Sequence, residues 1–418
     1  MTSTIWAPPH ITGDIALPAS KSISNRALIL NALATLLESN QAGLPLTEGG
    51  HQNLSNLAEC DDTDVLIQAL NNLNKTIDIG AAGTSMRFLT AFLCELEGNH
   101  LITGSERMKN RPIKLLVEAL RTVGAEIEYV EKEGYPPLKI TGKKLEGGSI
   151  QIHGGISSQY LSALMMAGPL MRNGLNIQIE GELISRPYFE MTISMMQLWG
   201  ATIEYKNAVV EIQPGGYTPQ HFTVESDWSA ASYWYEMLSL AESGSLFLKG
   251  LNQKSLQGDK RISEWFELLG VHTEFKNGGA QLSKIETKQS HFEADLIDQP
   301  DLAQTLVVTC LIKGITFHIS GLQSLKIKET DRLTALVNEC AKLGFVLHQK
   351  EDRILEWTGD TKSMLASPIE TYDDHRMAMA FAPVSVAYGT IKIDHPEVVT
   401  KSYPKYWDHL TACNFLIE

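Results

Sequence analysis

The chain is poor in cysteine: five residues among 418, Cys60, Cys94, Cys310, Cys340 and Cys413, with no C-x-x-C pair. That scarcity excludes a disulfide framework and predicts the reduced thiols of a cytoplasmic protein. Long apolar runs are missing too. The most apolar stretch, Tyr160 to Met171, is short and holds Gly168-Pro169, which excludes a transmembrane helix. The opening MTSTIWAPPHITG has neither the basic nor the apolar region of a signal peptide. Positive charge is in deficit, 35 Lys+Arg against 49 Asp+Glu for a net charge of −14, which argues against nucleic acid as a partner. The phosphate-loop, dinucleotide and zinc-protease motifs G-x-x-x-x-G-K-[ST], G-x-G-x-x-G and H-E-x-x-H are absent. His375 stands beside two aspartates, but no second histidine lies at ligand spacing to it, so no metal and no cofactor are expected.

What is present is a repeated unit. At 418 residues the chain exceeds one ordinary core and predicts two domains. An amphipathic helix ending in glycine and followed by a strand recurs at Gly124, Gly200, Gly270 and Gly344, roughly seventy residues apart. Glycine suits the left-handed residue that stops a helix. A second helix type keeps phase with the first. It opens on small or polar residues and then turns apolar, as in SKSISNRALIL, GTSMRFLTAFL, SSQYLSALMMA, SDWSAASYWYEM, PDLAQTLVVTCL and DDHRMAMAFAPV. The pattern predicts an α/β fold of six units, each with two helices and short strands, the apolar helices buried.

The polar residues gather where these helices begin. A helix N-terminus offers free N–H groups and partial positive charge, and so favours anions. In ASKSISNRAL, Ser22 and Ser24 suit a helix cap, while Lys21 and Arg26 beside them add the charge that a phosphate or carboxylate ligand needs. Gly83-Thr84 lets backbone approach a ligand, and Ser157-Ser158-Gln159 is an uncharged donor cluster. Arg111 and Arg186 each precede a proline at a helix start. KIKETDR brings Lys328, Glu329 and Arg332, and YDDHR brings Asp373, Asp374, His375 and Arg376. Each alone reads as a solvated helix end; their recurrence at equivalent points of a repeat points to a shared cleft.

The segments LPASKSISNRALIL, AAGTSMRFLTAFL, RMKNRPIKLLVEAL, SSQYLSALMMAGPL, SRPYFEMT, LQGD, KETDRLTAL, DDHRMAMAF and TKSYP together resemble the 5-enolpyruvylshikimate-3-phosphate synthases, in order from about Pro18 to Tyr403. The resemblance implies a two-domain inside-out α/β barrel of six βαβαββ repeats, three per domain. One domain would comprise residues 1–18 with 225–418 and the other residues 19–224, with the active site in the cleft between them. It implies transfer of the enolpyruvyl group of phosphoenolpyruvate to the 5-hydroxyl of shikimate 3-phosphate by addition and elimination, without metal or cofactor, in a monomeric cytoplasmic enzyme whose partners are these small molecules. Lys21, Gly83, Arg111, Gln159, Arg332, Arg376 and Lys401 would hold phosphoenolpyruvate. Lys21, Ser22, Arg26, Ser157, Ser158, Gln159, Ser185, Tyr188, Asp301, Ser324 and Lys328 would hold shikimate 3-phosphate. Asp301 would take the hydroxyl proton, Lys21 and Glu329 would carry protons at C3 and the leaving phosphate, and His375 would assist.

The chain departs from that family at several points. Ala81 and Ser324 stand where the family usually has asparagine, and Phe88 stands where proline is common. Residues 39–53 read as an inserted surface loop. Gly83 carries no bulk, which leaves inhibition by glyphosate as an expectation. The same fold also serves UDP-N-acetylglucosamine enolpyruvyl transferases, but those carry a reactive cysteine in the loop that here reads TGSERMKNRP. A catalytically silent anion-binding protein would not need Asp301 and Glu329, since carboxylates hinder anion binding.

Overall fold

The computed structural model describes residues 1–42, 53–73, 76–155 and 157–418. Most of the segment read as an inserted loop, 43–52, lies outside the described residues. Its beginning is not loop: the helix Lys21–Ala42 runs through positions 39–42. The chain divides into two compact units, Ser20–Val224 and the pair of segments Met1–Ala19 and Glu225–Glu418.

Four four-stranded sheets share one strand pattern. In Ser20–Val224, Ile77–Asp78 pairs in parallel with Gly98–Thr103, which pairs antiparallel with Leu138–Gly142 and that with Glu126–Tyr129. Gly148–His153, Leu175–Glu180, Val209–Ile212 and Ile203–Lys206 repeat the arrangement. In the other unit it recurs in His291–Asp295, Thr316–Ser320, Ile354–Trp357 and His348–Lys350. There His10–Ala16 also pairs in parallel with Ser243–Lys249, across the long excursion of the chain, and the hairpin of Gly279–Lys284 and Val271–Lys276 completes that sheet. A parallel pair demands a crossover. Here the crossover carries a buried helix: Gly83–Glu95, Ser158–Ala167 and Ala303–Ile312 join the strands of three such pairs, and Trp228–Leu240 precedes the second strand of the fourth.

The second helix of each unit is amphipathic and stops at glycine. Gly124, Gly200, Gly270 and Gly344 take φ of 104°, 88°, 102° and 91°, the left-handed conformation the spacing predicts. The apolar helices start just after the parallel edge strands, and this is why the polar residues of the helix openings collect at the carboxyl ends of those strands.

Candidate active site

In the unit Ser20–Val224, Lys21 opens the first buried helix and its Nζ donates to Asp62 Oδ2 at 2.9 Å. Asp62 is buried at the start of the helix Asp61–Asn71. Arg26 is buried behind Lys21. Its Nε donates to Thr192 Oγ1 at 2.7 Å, its Nη1 to the Ser22 carbonyl at 2.9 Å, and its Nη2 to Ser162 Oγ at 3.1 Å and the Tyr188 carbonyl at 3.3 Å. Arginine has five N–H donors, so four are spent on the protein. Burial lowers its pKa to about 10. The unusual Phe88 has a structural reason: its ring lies under the Arg26 guanidinium, 5.4 Å from Cζ to centroid.

Gly83 begins the helix Gly83–Glu95, and the guanidinium of Arg111 lies directly on it. A Cβ on Gly83 would meet Arg111 Nη1 at 2.6 Å and Cζ at 3.0 Å. Gln159 donates through Nε2 to Thr84 Oγ1 at 3.1 Å, which ties the helix Ser158–Ala167 to the helix Gly83–Glu95. Ser157 caps the helix Ser158–Ala167, its Oγ accepting from the Gln159 N–H at 3.4 Å, which leaves the hydroxyl proton free to donate. Ser158 is buried, Tyr188 is half-buried, and Ser185 sits before the helix Arg186–Leu198 at φ 54°. Arg186 is exposed on Glu190 at 2.7 Å and is a solvated helix end. One residue that sequence reasoning missed holds this corner together. Arg87 is buried, donates to the Gly83 and Pro112 carbonyls at 3.1 Å each, and lies over the Tyr160 ring. It thereby fixes the turn that presents Arg111.

In the other unit the candidate site residues form one ionic cluster around Arg332. This arginine is 1% exposed. Its Nε and Nη2 fork onto Asp374 Oδ2 and Oδ1 at 2.6 and 3.2 Å, Nη1 donates to Asp301 Oδ1 at 2.9 Å, and Nη2 to Glu329 Oε2 at 2.9 Å. Burial disfavours its charge, but Asp374, Glu329 and Asp301 outweigh that and raise its pKa further. Arg376 donates to Asp301 Oδ2 and to the Asp301 carbonyl, each at 3.2 Å, and Lys328 Nζ lies 3.5 Å from Asp301 Oδ1. Burial pushes the Asp301 carboxyl up, but Arg376, Lys328 and Arg332 together hold it far below the usual carboxylate range. Lys401, at the end of the short helix Pro396–Lys401, stands 3.4 Å from Glu329 Oε1. His375 is buried with Nδ1 3.6 Å from Asp374 Oδ1. Ser324 shares no hydrogen bond with the cluster: its hydroxyl is buried without a partner among the described residues.

Asp374 and Asp259 complete the cluster. Asp374 caps the helix His375–Phe381 through the Arg376 N–H at 2.9 Å while gripping Arg332. Asp259 accepts from Ser229 Oγ, and Ser229 in turn accepts from Arg376 Nη2 at 3.3 Å. Burial and the charge of Asp301 raise the Asp259 pKa to about 6. A carboxyl whose folded pKa is raised favours folding at low pH and loses that contribution as pH rises through the folded value. Asp259→Asn is therefore expected to gain about 2–3 kcal/mol on the wild type between pH 4 and pH 8, read from urea unfolding at both pH values.

The chemistry of this constellation is that of anion handling. Arginine forks, lysines and helix N-termini suit phosphate and carboxylate ligands, and carboxylates such as Asp301 and Glu329 are groups able to exchange protons. The sequence model of a family described as "EPSP synthase (3-phosphoshikimate 1-carboxyvinyltransferase)" matches residues 5–410. A protein named 3-phosphoshikimate 1-carboxyvinyltransferase from Bacteroides fragilis (strain YCH46) is 51% identical over 420 residues, covering 100% of this chain and 99% of that protein. Another of that name from Photobacterium profundum is 36% identical, with 97% of each chain covered. A solved structure of EPSP synthase from Acinetobacter baumannii superposes with a TM-score of 0.75 at 19% identity, covering 100% of both chains.

Proposed function

The chain belongs to the EPSP synthase (3-phosphoshikimate 1-carboxyvinyltransferase) family, and on that premise we propose how its residues carry out the transfer. The enzyme acts in the shikimate pathway of aromatic amino acid biosynthesis. Lys21, Gly83, Arg111 and Gln159 of one unit, and Arg332, Arg376 and Lys401 of the other, address phosphoenolpyruvate. Ser22, Ser157, Ser158, Ser185, Tyr188, Asp301 and Lys328 address shikimate 3-phosphate, with Arg26 contributing the single N–H that it does not spend on the protein. Ser324 is left out of this set. We also infer that the shared strand pattern reflects six copies of one ancestral unit. The two ligands together carry roughly five to six negative charges. Lys21, Arg26, Arg111, Lys328, Arg332, Arg376 and Lys401 meet them, opposed by Asp62, Asp301, Glu329 and Asp374. Seven cations less these four carboxylates leave three positive charges, which offset part of the ligand charge and leave the rest to helix N-termini and hydroxyl donors.

In the first step the 5-hydroxyl oxygen bonds to C2 of phosphoenolpyruvate, its proton passes to Asp301, and C3 takes a proton. In the second, C3 gives up a proton, the C2–O bond to phosphate breaks, and the enol double bond is restored. Lys21 and Glu329 carry the protons at C3 and at the leaving phosphate. His375, against Asp374, positions the start of its helix. The observation that carries this reading is Asp301, a carboxylate held charged by three cations that the incoming anions will also claim. Turnover in deuterium oxide tests it. Addition and elimination must leave solvent deuterium on the C3 methylene of the product, read by mass spectrometry; product free of deuterium overturns the scheme.

Gly83→Ala is expected to raise the KM for phosphoenolpyruvate roughly tenfold with kcat changed less, because the new Cβ displaces Arg111 and loses a charge-assisted hydrogen bond worth about 1.5–3 kcal/mol. Steady-state kinetics at saturating shikimate 3-phosphate checks the split.

A further inference from the structure

A second group of cations lies in the unit of Asp301, at the other ends of its helices. The helix Trp228–Leu240 begins beside Ser229, which touches Arg376, and is thirteen residues long, ending at Leu240. A helix of that length spans roughly 20 Å. Near its end the Ser239 carbonyl accepts from two lysines at once, from Lys313 Nζ at 2.9 Å and from Lys284 Nζ. Lys313 directly follows the helix Ala303–Ile312, whose own start adjoins Asp301. Both amines are half-buried and border a pocket of about 510 Å³, whose wall also includes Thr287, Gln289 and Ser290. That volume is within the range of small-molecule sites.

Lysine at a helix C-terminus is usually a cap on the last carbonyls. Capping does not account for this pair. One carbonyl serves two amines that also stand against each other, and each helix end supplies only about half an elementary negative charge. Neither amine has a carboxylate in ion-pair range among the described residues; Glu286 is exposed and pairs with neither. The Ser239 hydroxyl is already committed to the Leu269 carbonyl at 2.6 Å. The local backbone makes room for the crowding. Gly270, at φ 102°, presents a bare Cα, and a Cβ there would come 3.0 Å from Thr287 Oγ1 and 3.5 Å from Lys313 Nζ. Thr287 and Lys313 thus converge over it. Burial and the neighbouring Lys313 lower the Lys284 pKa to about 8, and burial lowers that of Lys313.

We propose that this pocket binds a phosphate-bearing small molecule, with Lys284 and Lys313 as its two cationic ligands and Thr287 as a hydroxyl donor. A phosphate dianion would supply the missing counter-charge and accept the lysine N–H groups that the single carbonyl leaves unused.

Trace acetylation by an N-hydroxysuccinimide ester near pH 8, read residue by residue by peptide mass spectrometry, tests this on the intact enzyme. The probes are inorganic phosphate and glycerol 1-phosphate, each against chloride at equal ionic strength, with the exposed Lys206 and Lys254 as internal references. Lys284 and Lys313 are expected to react about tenfold more slowly at a probe concentration ten times its dissociation constant, while the references do not change. Protection by the inorganic ion alone assigns the site to free phosphate; protection by the ester assigns it to phosphorylated metabolites. No protection, or equal slowing at Lys206 and Lys254, leaves two capping lysines and overturns the proposal. In folded Lys313→Gln, protection of Lys284 is expected to vanish with turnover unchanged; protection that persists overturns the paired site.

Discussion

Asp301→Asn is expected to cut kcat by roughly 10²–10⁴-fold, the contribution of a positioned acid–base group, while the KM for phosphoenolpyruvate stays level or falls. The substitution keeps the shape and a carbonyl acceptor for Arg332 Nη1, and it removes one negative charge from beside Arg376, Lys328 and Arg332. Anion affinity should therefore not suffer. Proton acceptance should. The three cations that keep Asp301 ionised also make it a weak base in the free enzyme. On the proposed scheme its basicity rises when ligand oxygens take over part of that coordination, which would couple base strength to substrate binding. A depressed carboxyl stabilises the fold above its ordinary range and loses that contribution only as pH falls through the folded value. The stability difference between wild type and Asp301→Asn should thus be flat from pH 5 to pH 8. Steady-state kinetics of the variant decide the point: an unchanged kcat, or a defect confined to KM, removes Asp301 from the proton path.

Arg332→Met is expected to destabilise its unit by about 3–5 kcal/mol, the cost of leaving a buried charge without its partner. Asp301 would retain Arg376 and Lys328, and Glu329 would retain Lys401. Asp374 is 0% exposed and would lose both arms of its fork. Arg332→Lys should recover little, because a single ammonium cannot bridge three carboxylates in a plane. Removing the orphaned charge as well, in Arg332→Met with Asp374→Asn, should restore part of the loss. Urea unfolding of the single and double variants measures this. A single variant as stable as wild type would mean that the ionic cluster is not what holds the helix starts in place.

The parts of this molecule that were legible in its sequence are those written locally. The four helix-stopping glycines announce a left-handed residue at one position, and the alternation of apolar and amphipathic helices announces buried crossovers. The arginines and lysines at the helix openings stand out against a net charge of −14. What was not legible is who neutralises them. Lys21 and Asp62 are 41 residues apart, and Arg332 and Asp374 are 42. No periodicity links such positions; only the return of the chain to the same layer does. Arg26 and Arg332 read as ligand arginines, but the structure spends four of the five donors of each on protein groups. Arg87 was hidden in an apolar helix, where one arginine at that spacing from Gly83 gives no local sign that it clamps the Pro112 turn.

The strand pairing also orders events during synthesis. His10–Ala16 leaves the ribosome before most of the chain, but its parallel partner is Ser243–Lys249, and Thr2–Trp6 pairs with Thr390–Asp394 and Leu416–Ile417. The segment Ser20–Val224 emerges complete between them and holds its own sheets. The nascent strand His10–Ala16 therefore stays an unpaired edge until Ser243–Lys249 has been made, and Thr2–Trp6 until Thr390–Asp394 has been made, which leaves both open to mispairing in the interval.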